Sequence, residues 1–189
     1  ALLRPEFAEW RSYSLKRRGK PEFRQLLINM GGVDVDDFTG QVLDELKTCT
    51  LPSDVNVTIV MGGSAPHLES VKSKAIMLPY KTEVKVDVDN MAEIMVNSDV
   101  AIGAAGATTW ERCCLGLPTI QIVVAKNQIT IAKSLAEVGA IKFLQSIEGM
   151  SRIINNSLNW MLNVSNIARH VSDGLGVKRV SGVLMNKIL

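Results

Sequence analysis

The chain has 189 residues, of which 47% are hydrophobic and 21% charged, and its 21 basic and 19 acidic side chains give a net charge of +2. This composition is ordinary for a globular domain with one core, and so small a charge gives no reason to expect nucleic acid or an anionic membrane as the main partner. No apolar run approaches the roughly 18 residues of a membrane-spanning helix. The three cysteines, Cys49, Cys113 and Cys114, are odd in number and fit a reducing cytosol, so a cytoplasmic location is expected.

Residues 1–23 have the character of a connector, expected to be poorly packed or only partly helical and to belong to a longer protein. Beyond them, short apolar runs alternate with amphipathic stretches. Strands are predicted over residues 25–32, 56–63, 83–88, 99–106, 119–125 and 141–144. Helices are predicted over residues 36–49, 66–75, 90–98, 108–116, 127–140, 147–172 and 176–189. This alternation predicts a Rossmann-like three-layer α/β domain over residues 24–189, with a parallel sheet between two layers of helices.

Small residues follow three of the predicted strands, at Gly31-Gly32, Gly62-Gly63 and from Gly103 to Ala107. Ligands of open parallel sheets bind beyond the carboxyl ends of the strands, where these loops fall. The third loop leads into a helix, and free amides at a helix N-terminus can bind phosphate. The alternative is that the glycines only make tight turns.

The first turns of that helix carry side chains suited to a nucleotide. Thr108 and Thr109 can cap the helix or contact a phosphate, while Glu111, about one turn in, can accept hydrogen bonds from a ribose diol. The stretch has neither the G-x-G-x-x-G spacing of dinucleotide sites nor the Walker pattern. It therefore predicts a site for a nucleoside diphosphate.

A longer segment carries a family resemblance. The run "SDVAIGAAGATTWERCCLGLPTI" is preceded by "DNMAEIM" and followed by "NQITIAKSLAEVGA". It resembles the C-terminal, nucleotide-sugar-binding half of GT-B fold proteins. It is especially similar to the UDP-2,4-diacetamido-2,4,6-trideoxy-β-L-altropyranose hydrolases of pseudaminic acid synthesis and to their spore-coat polysaccharide relatives. "LLRPEF" near the start and "DGLGVKRV" near the end also resemble that family.

The resemblance implies roles for individual residues. In the related muramyl-peptide N-acetylglucosaminyltransferases, a small-residue loop and a threonine hold the diphosphate, a helix glutamate takes the ribose hydroxyls, a backbone group meets uracil and an Asn-Gln pair faces the sugar. Together with the first glycine loop, the substrate-binding positions expected here are Gly31, Gly32, Val88, Ala105, Gly106, Ala107, Thr108, Thr109, Glu111, Asn127 and Gln128. The family more often has Gly-Gly-Ser where this chain has Ala-Gly-Ala, so one serine hydroxyl is lost.

The same resemblance implies a hydrolase that releases UDP from a diacetamido-trideoxy sugar nucleotide, with water attacking the sugar carbon. Its catalytic base is expected in an N-terminal domain, so no catalytic residue is assigned in this chain and the chain alone is expected to be inactive. The partners expected are the UDP-sugar and that domain, without a cofactor. No metal site is predicted, because Asp34, Asp36 and Asp37, the nearest acidic group, also suit a helix start.

Two alternatives remain at this stage: a GT-B glycosyltransferase, which would pass the sugar to an acceptor, and a non-catalytic nucleotide-sugar-binding module. Among other reactive side chains, His170, Cys113 and Cys114 are expected to pack in the structure. A polar surface role is expected for His67.

Overall fold

The structure, a computed structural model, describes residues 1–186 and has six parallel strands in this part of the chain. The strands are β1 (Gln25–Asn29), β2 (Asn56–Met61), β3 (Lys81–Val86), β4 (Val100–Ala104), β5 (Thr119–Ile122) and β6 (Lys142–Leu144). They form one sheet in the order β3-β2-β1-β4-β5-β6. The predicted three-layer α/β fold is therefore confirmed.

One helix precedes the first strand, and the others connect the strands or follow the last one. They are α1 (Pro5–Arg17), α2 (Phe38–Leu46), α3 (Leu68–Ile76), α4 (Met91–Asn97), α5 (Thr108–Cys114), α6 (Ile129–Glu137), α7 (Met150–Ile154), α8 (Ser157–Ala168) and α9 (Gly176–Met185). A short 3-10 helix, Lys126–Gln128, precedes α6. The predicted helical region 147–172 is divided into α7 and α8, and residues 187–189 of the last predicted helix lie outside the described residues.

Helices on both faces explain why the central strands are so apolar. All five residues of β4 are buried, as are the last four of β1. The helical spacing of α2 places Val42, Leu43 and Leu46 in the main core, against the strands. Burial of such side chains is the main stabilising contribution to a fold of this kind. No helix within residues 1–186 is both long and apolar enough to cross a membrane.

The expectation of a poorly packed N-terminal segment is wrong, because α1 is anchored to the rest of the domain. Phe7 is fully buried in a cluster beneath α4 and α5. Three arginines of this segment donate to carbonyl groups near the ends of helices: Arg11 to Cys114 and Arg169, Arg17 to Asn97, and Arg18 to Met95. Helix C-termini leave such carbonyls without internal partners, so these arginines join α1 to the helices they cap.

Candidate functional site

The sheet order places a crevice between β1 and β4. Successive connections leave these two neighbouring strands in opposite directions along the sheet, which is where ligands of open α/β sheets bind. Asn29 at the end of β1 lies opposite Gly103 of β4. The Asn29 side chain is buried and donates to the carbonyl of Val60 at 3.0 Å, which ties the end of β1 to β2.

The glycine loops after β1 and β2 lie against each other. The amide of Gly62 donates to the carbonyl of Gly32 at 2.8 Å, and a Cβ on Gly62 would lie 2.4 Å from that oxygen. The amide of Gly63 donates to the Asp87 carboxylate, also at 2.8 Å. Gly31 has a φ of +117°, and a Cβ at Gly31 or Gly32 would meet no atom within 4 Å. Gly31 and Gly32 therefore serve a turn and also border open space.

The loop after β4 has backbone donors without acceptors. The amide of Ala105 donates to the carbonyl of Ile122 at 3.2 Å, continuing the sheet. The next three amides, of Gly106, Ala107 and Thr108, donate to no acceptor in the described part of the chain. Successive free amides of this kind bind anions. The helix that follows, α5, has only seven residues, so these amides matter more here than a helix dipole.

The two threonines face different environments. Thr108 is half-buried at the loop, and its Oγ1 accepts a hydrogen bond from Arg112 Nη1 at 3.1 Å. Thr109 is buried, and its Oγ1 accepts from Gln121 Nε2 at 3.1 Å. The structure thus places Thr108 next to the free amides and Thr109 between α5 and β5.

Arg4 lies close to Glu111 and also to the backbone next to Val88. Desolvation raises the pKa of the partly buried Glu111 carboxyl, and nearby Arg4 opposes this shift. Nη1 of Arg4 also lies 3.5 Å from the carbonyl of Asp89, next to Val88. Val88 and Trp110 pack on the same apolar cluster.

Asn127 and Gln128 occupy the neighbouring loop after β5, in the short 3-10 helix. The Gln128 Oε1 accepts from the amide of Val124 at 3.1 Å, so this side chain helps to hold its own loop. Asn127 is exposed. Because the Ala105 amide is bonded to β5, this loop adjoins the small-residue loop.

The acidic group near Gly32 starts a helix. The Asp34 carboxylate accepts from the amides of Phe38 and Thr39 at 3.0 and 2.8 Å, and the Asp37 carboxylate accepts from the amide of Gly40. Within residues 1–186, no group of three or more His, Cys, Asp or Glu side chains is arranged to hold a metal ion.

Of the other reactive side chains, the two cysteines pack as expected, whereas His170 is exposed and its Nε2 accepts from Arg169 Nε at 3.4 Å, so the expectation that it would pack is wrong. Cys113 and Cys114 are both buried, and burial raises the pKa of Cys113 to about 11, so that thiol stays protonated at neutral pH. His67 is exposed, and its Nε2 lies 3.0 Å from the carbonyl of Val35.

Sequence reasoning missed Arg112. Its side chain is only 1% exposed, whereas an arginine in the middle of a short helix is ordinarily solvated. Helical spacing offered a signal, because Arg112 is three residues beyond Thr109 and next to Cys113 on the buried side of α5. The residue lies directly behind the small-residue loop.

A cavity of about 210 Å³ lies at the amino ends of the strands, on the side of the sheet opposite the crevice. Its lining includes Arg17, Lys20, Asp99 and Pro118, which are at the amino ends of the strands. Nη2 of Arg17 and Oδ1 of Asp99 form an ion pair of 2.5 Å there. Because sheets of this order bind ligands at the carboxyl edge, we place the candidate site at the β1–β4 crevice.

Known proteins similar to this chain share its fold and its sequence pattern. SpsG, a spore coat polysaccharide biosynthesis protein of Bacillus subtilis, is 29% identical over 195 residues, covering 98% of this chain and 56% of that protein. A UDP-2,4-diacetamido-2,4,6-trideoxy-beta-L-altropyranose hydrolase of Campylobacter jejuni is 27% identical over 139 residues, covering 74% of this chain and 47% of that protein. The crystal structure of Acinetobacter baumannii MurG superposes with a TM-score of 0.77 at 18% identity, covering 98% of this chain and 56% of that one.

These figures establish the architecture and the family. At 18% identity the MurG structure shows the fold alone, which is the C-terminal half of a GT-B fold. The chain spans about half the length of these two curated relatives. The profile of the glycosyltransferase family 28 C-terminal domain matches residues 26–174, including β1, the small-residue loop, α5 and the loop after β5. The chain therefore belongs to the glycosyltransferase family 28 C-terminal domain family and is a nucleotide-sugar-binding domain of the GT-B type.

Proposed function

We propose that this chain is the UDP-sugar-binding half of a hydrolase that releases UDP from a diacetamido-trideoxy sugar nucleotide in the synthesis of pseudaminic acid or a related surface polysaccharide. The observation that carries the proposal is the row of free amides at Gly106, Ala107 and Thr108, one helical turn from Glu111. Similarity to the Campylobacter hydrolase over 74% of this chain supports the choice of reaction.

Each part of the ligand has a chemical counterpart in the crevice. The free amides and the Thr108 hydroxyl donate to the diphosphate. The Glu111 carboxylate accepts from the ribose diol, the Val88 backbone meets uracil, and the exposed Asn127 side chain faces the sugar. Donors fixed before the reaction stabilise charge that develops on a leaving group. This half of the enzyme would thus lower the barrier by stabilising the departing diphosphate.

The proposed reaction forms a bond from a water oxygen to the anomeric carbon of the sugar. The bond from that carbon to the diphosphate oxygen breaks, its electron pair leaves with UDP, and the water proton passes to a general base. We assign the base to an N-terminal domain across the crevice, because the two relatives are about twice as long as the matched region. Residues 1–23 would then connect the two domains.

A glycosyltransferase is the second candidate function, favoured by the match to a glycosyltransferase family domain and by the MurG-like fold. It would hold UDP in the same way and differ only in passing the sugar to an acceptor hydroxyl instead of water. A non-catalytic nucleotide-sugar-binding module would also hold UDP but would show no turnover in any protein that contains it.

Calorimetric titration and a UDP-release assay test these possibilities. The chain alone should bind UDP and should not turn over the diacetamido sugar nucleotide. The natural full-length protein should release UDP in water without an added acceptor. Release that requires an acceptor would favour the transferase, and clear turnover by the 189-residue chain alone would refute the assignment of the base to another domain.

A further inference from the structure

The guanidinium of Arg112 packs against both ends of the small-residue loop. Its Nη2 donates to the carbonyl of Ala104 at 2.7 Å, and its Nη1 donates to Thr108 Oγ1 at 3.1 Å. These two residues flank the loop 105–107. A Cβ on Gly103 would lie 2.4 Å from Nη1, so the guanidinium fits only because that strand residue has no side chain. The position of Arg112 is therefore specified by its neighbours.

The positive charge of Arg112 forms no direct ion pair in the described part of the chain, and the nearby Glu111 carboxylate only partly offsets the effect of burial on its pKa. Within residues 1–186, no Asp or Glu oxygen lies within 4.0 Å of its guanidinium nitrogens. Its Nε, which is buried, has no hydrogen-bond acceptor. Desolvation lowers the pKa of Arg112 to about 10, which still leaves the group charged at neutral pH. A buried charge without a direct ion pair is costly, and an anionic ligand would add to the compensation that Glu111 gives in part.

The free amides above Arg112 show where that partner would bind. Gly106, Ala107 and Thr108 present three consecutive donors without acceptors, while the arginine lies behind the same loop. Donors and positive charge thus converge on one short segment. A diphosphate at the loop would satisfy the amides and also neutralise the field of the buried guanidinium.

Arg112 also determines where the hydroxyl proton of Thr108 can point. A guanidinium can only donate, so Thr108 Oγ1 must be the acceptor in their 3.1 Å contact. The hydroxyl proton of Thr108 is then free to point away from the arginine. Because Thr108 is half-buried at the loop, that proton can be donated to an anion in the crevice.

We infer that Arg112 is a positioning residue for the diphosphate, acting from behind the loop as a buried positive charge and as the donor that orients the Thr108 hydroxyl. This inference rests on the proposed function of the same site. It predicts that Arg112 contributes to the binding of the charged part of the ligand and contributes little to the binding of the nucleoside.

Calorimetric titration with UDP and with uridine separates these two contributions. Arg112→Gln keeps an amide donor and removes the charge, and it should weaken UDP binding by roughly tenfold while changing uridine binding less than about threefold. Arg112→Lys keeps the charge and should recover most of the lost UDP affinity. Folding is verified by circular dichroism, and any variant that unfolds in buffer is titrated in trimethylamine N-oxide, which favours the compact state.

Arg18→Gln is the matched control, because Arg18 is also buried but lies at the amino end of the sheet and donates to backbone carbonyls. It should lower stability and leave the ratio of UDP to uridine affinity unchanged. If Arg112→Gln leaves that ratio at the wild-type value, the inference is wrong although the proposed function stands. If the wild-type chain binds UDP no better than uridine, both fail.

Discussion

The two ends of α5 differ in how their free backbone groups are satisfied. At the C-terminal end, Leu115 O accepts from Ser14 Oγ at 2.7 Å and from Arg18 Nε at 3.0 Å, and Cys114 O accepts from Arg11. At the N-terminal end, the amides of residues 106–108 have no acceptor in the described part of the chain. One end is closed by the protein's own side chains, whereas the other has unpaired amides, which we propose bind the diphosphate. Substitutions should therefore affect stability at the first end and affinity at the second.

The largest effect is expected at the closed end. Arg18→Ala removes three buried hydrogen bonds, to the carbonyls of Leu115, Ser98 and Met95, and leaves each carbonyl with one other donor. The free energy of unfolding should fall by about 3 kcal/mol, as measured by urea denaturation. UDP affinity of the folded protein should not change.

Arg24→Ala is the control for that substitution. Arg24 is 65% exposed and its ion pairs are 3.6 Å or longer, so its removal should change stability by less than about 0.5 kcal/mol. Equal effects of the two substitutions would contradict the view that the C-terminal end of α5 is closed by Arg18.

At the open end, Glu111→Ala should weaken UDP binding. Loss of charge-assisted hydrogen bonds to the ribose diol costs about 1.5–3 kcal/mol, which is roughly one to two powers of ten in the dissociation constant. Binding of 2′-deoxy-UDP should change much less, because one partner hydroxyl is already missing. Calorimetry with both nucleotides measures the difference, and the exposed Glu137→Ala provides a control. A folded Glu111→Ala that binds UDP as tightly as wild type would remove Glu111 from the site.

The same added methyl group should lower stability at one glycine near this end and UDP affinity at another. In Gly103→Ala the Cβ would lie 2.4 Å from Arg112 Nη1 and 3.1 Å from Asn29 O, so the free energy of unfolding should fall by about 1–2 kcal/mol. In Gly106→Ala the Cβ would meet nothing within 4 Å, so stability should hold while UDP binding weakens by roughly threefold. Thermal unfolding and titration of both variants test this, and a Gly106→Ala that binds UDP normally would indicate that the ligand does not approach the loop.

The smallest effect concerns the pH dependence of stability. Because desolvation raises the folded-state pKa of Glu111 above its ordinary value of 4.5, the folded protein binds this proton more tightly than the unfolded chain does. The ionised carboxylate therefore costs stability at neutral pH, and the cost disappears as pH falls through the raised pKa towards 4.5. Glu111→Gln should be more stable than wild type at neutral pH by about 0.5 kcal/mol, given solvent screening, and the gap should close in acid. A gap that widens on acidification would have the wrong sign.

Local patterns predicted the strands and helices well, because each follows from the residues of its own segment. The β-branched run at β2 and the helical spacing of α2 are examples. Packing of α1 could not be predicted in the same way. The carbonyls that receive Arg11 and Arg18 lie roughly 80 to 160 residues further along the chain, and nothing near an arginine in the sequence identifies a distant helix end.

The candidate site was also only partly predictable from the sequence. The small-residue loop, Thr108 and Glu111 could be proposed from their sequence order, since the order itself places them at one helix start. The inward orientation of Thr109 and the buried guanidinium of Arg112 depend on Gln121 and Gly103, which belong to neighbouring strands. Hydrogen bonding across the sheet decides these positions, and it becomes visible only once the strands are paired.

The hydrogen bonds between the glycine loops also affect how the crevice moves. Gly32 is joined to Gly62, and Gly63 to Asp87, so opening any one of the loops after β1, β2 and β3 breaks a hydrogen bond to its neighbour. The loop after β4 is held at Ala105 and has no such bond at its next three amides. Local opening free energies therefore differ across the crevice, and amide exchange should be slower on the glycine side. Ordering this loop on ligand binding would then cost little side-chain entropy, because its small side chains have few rotamers to lose.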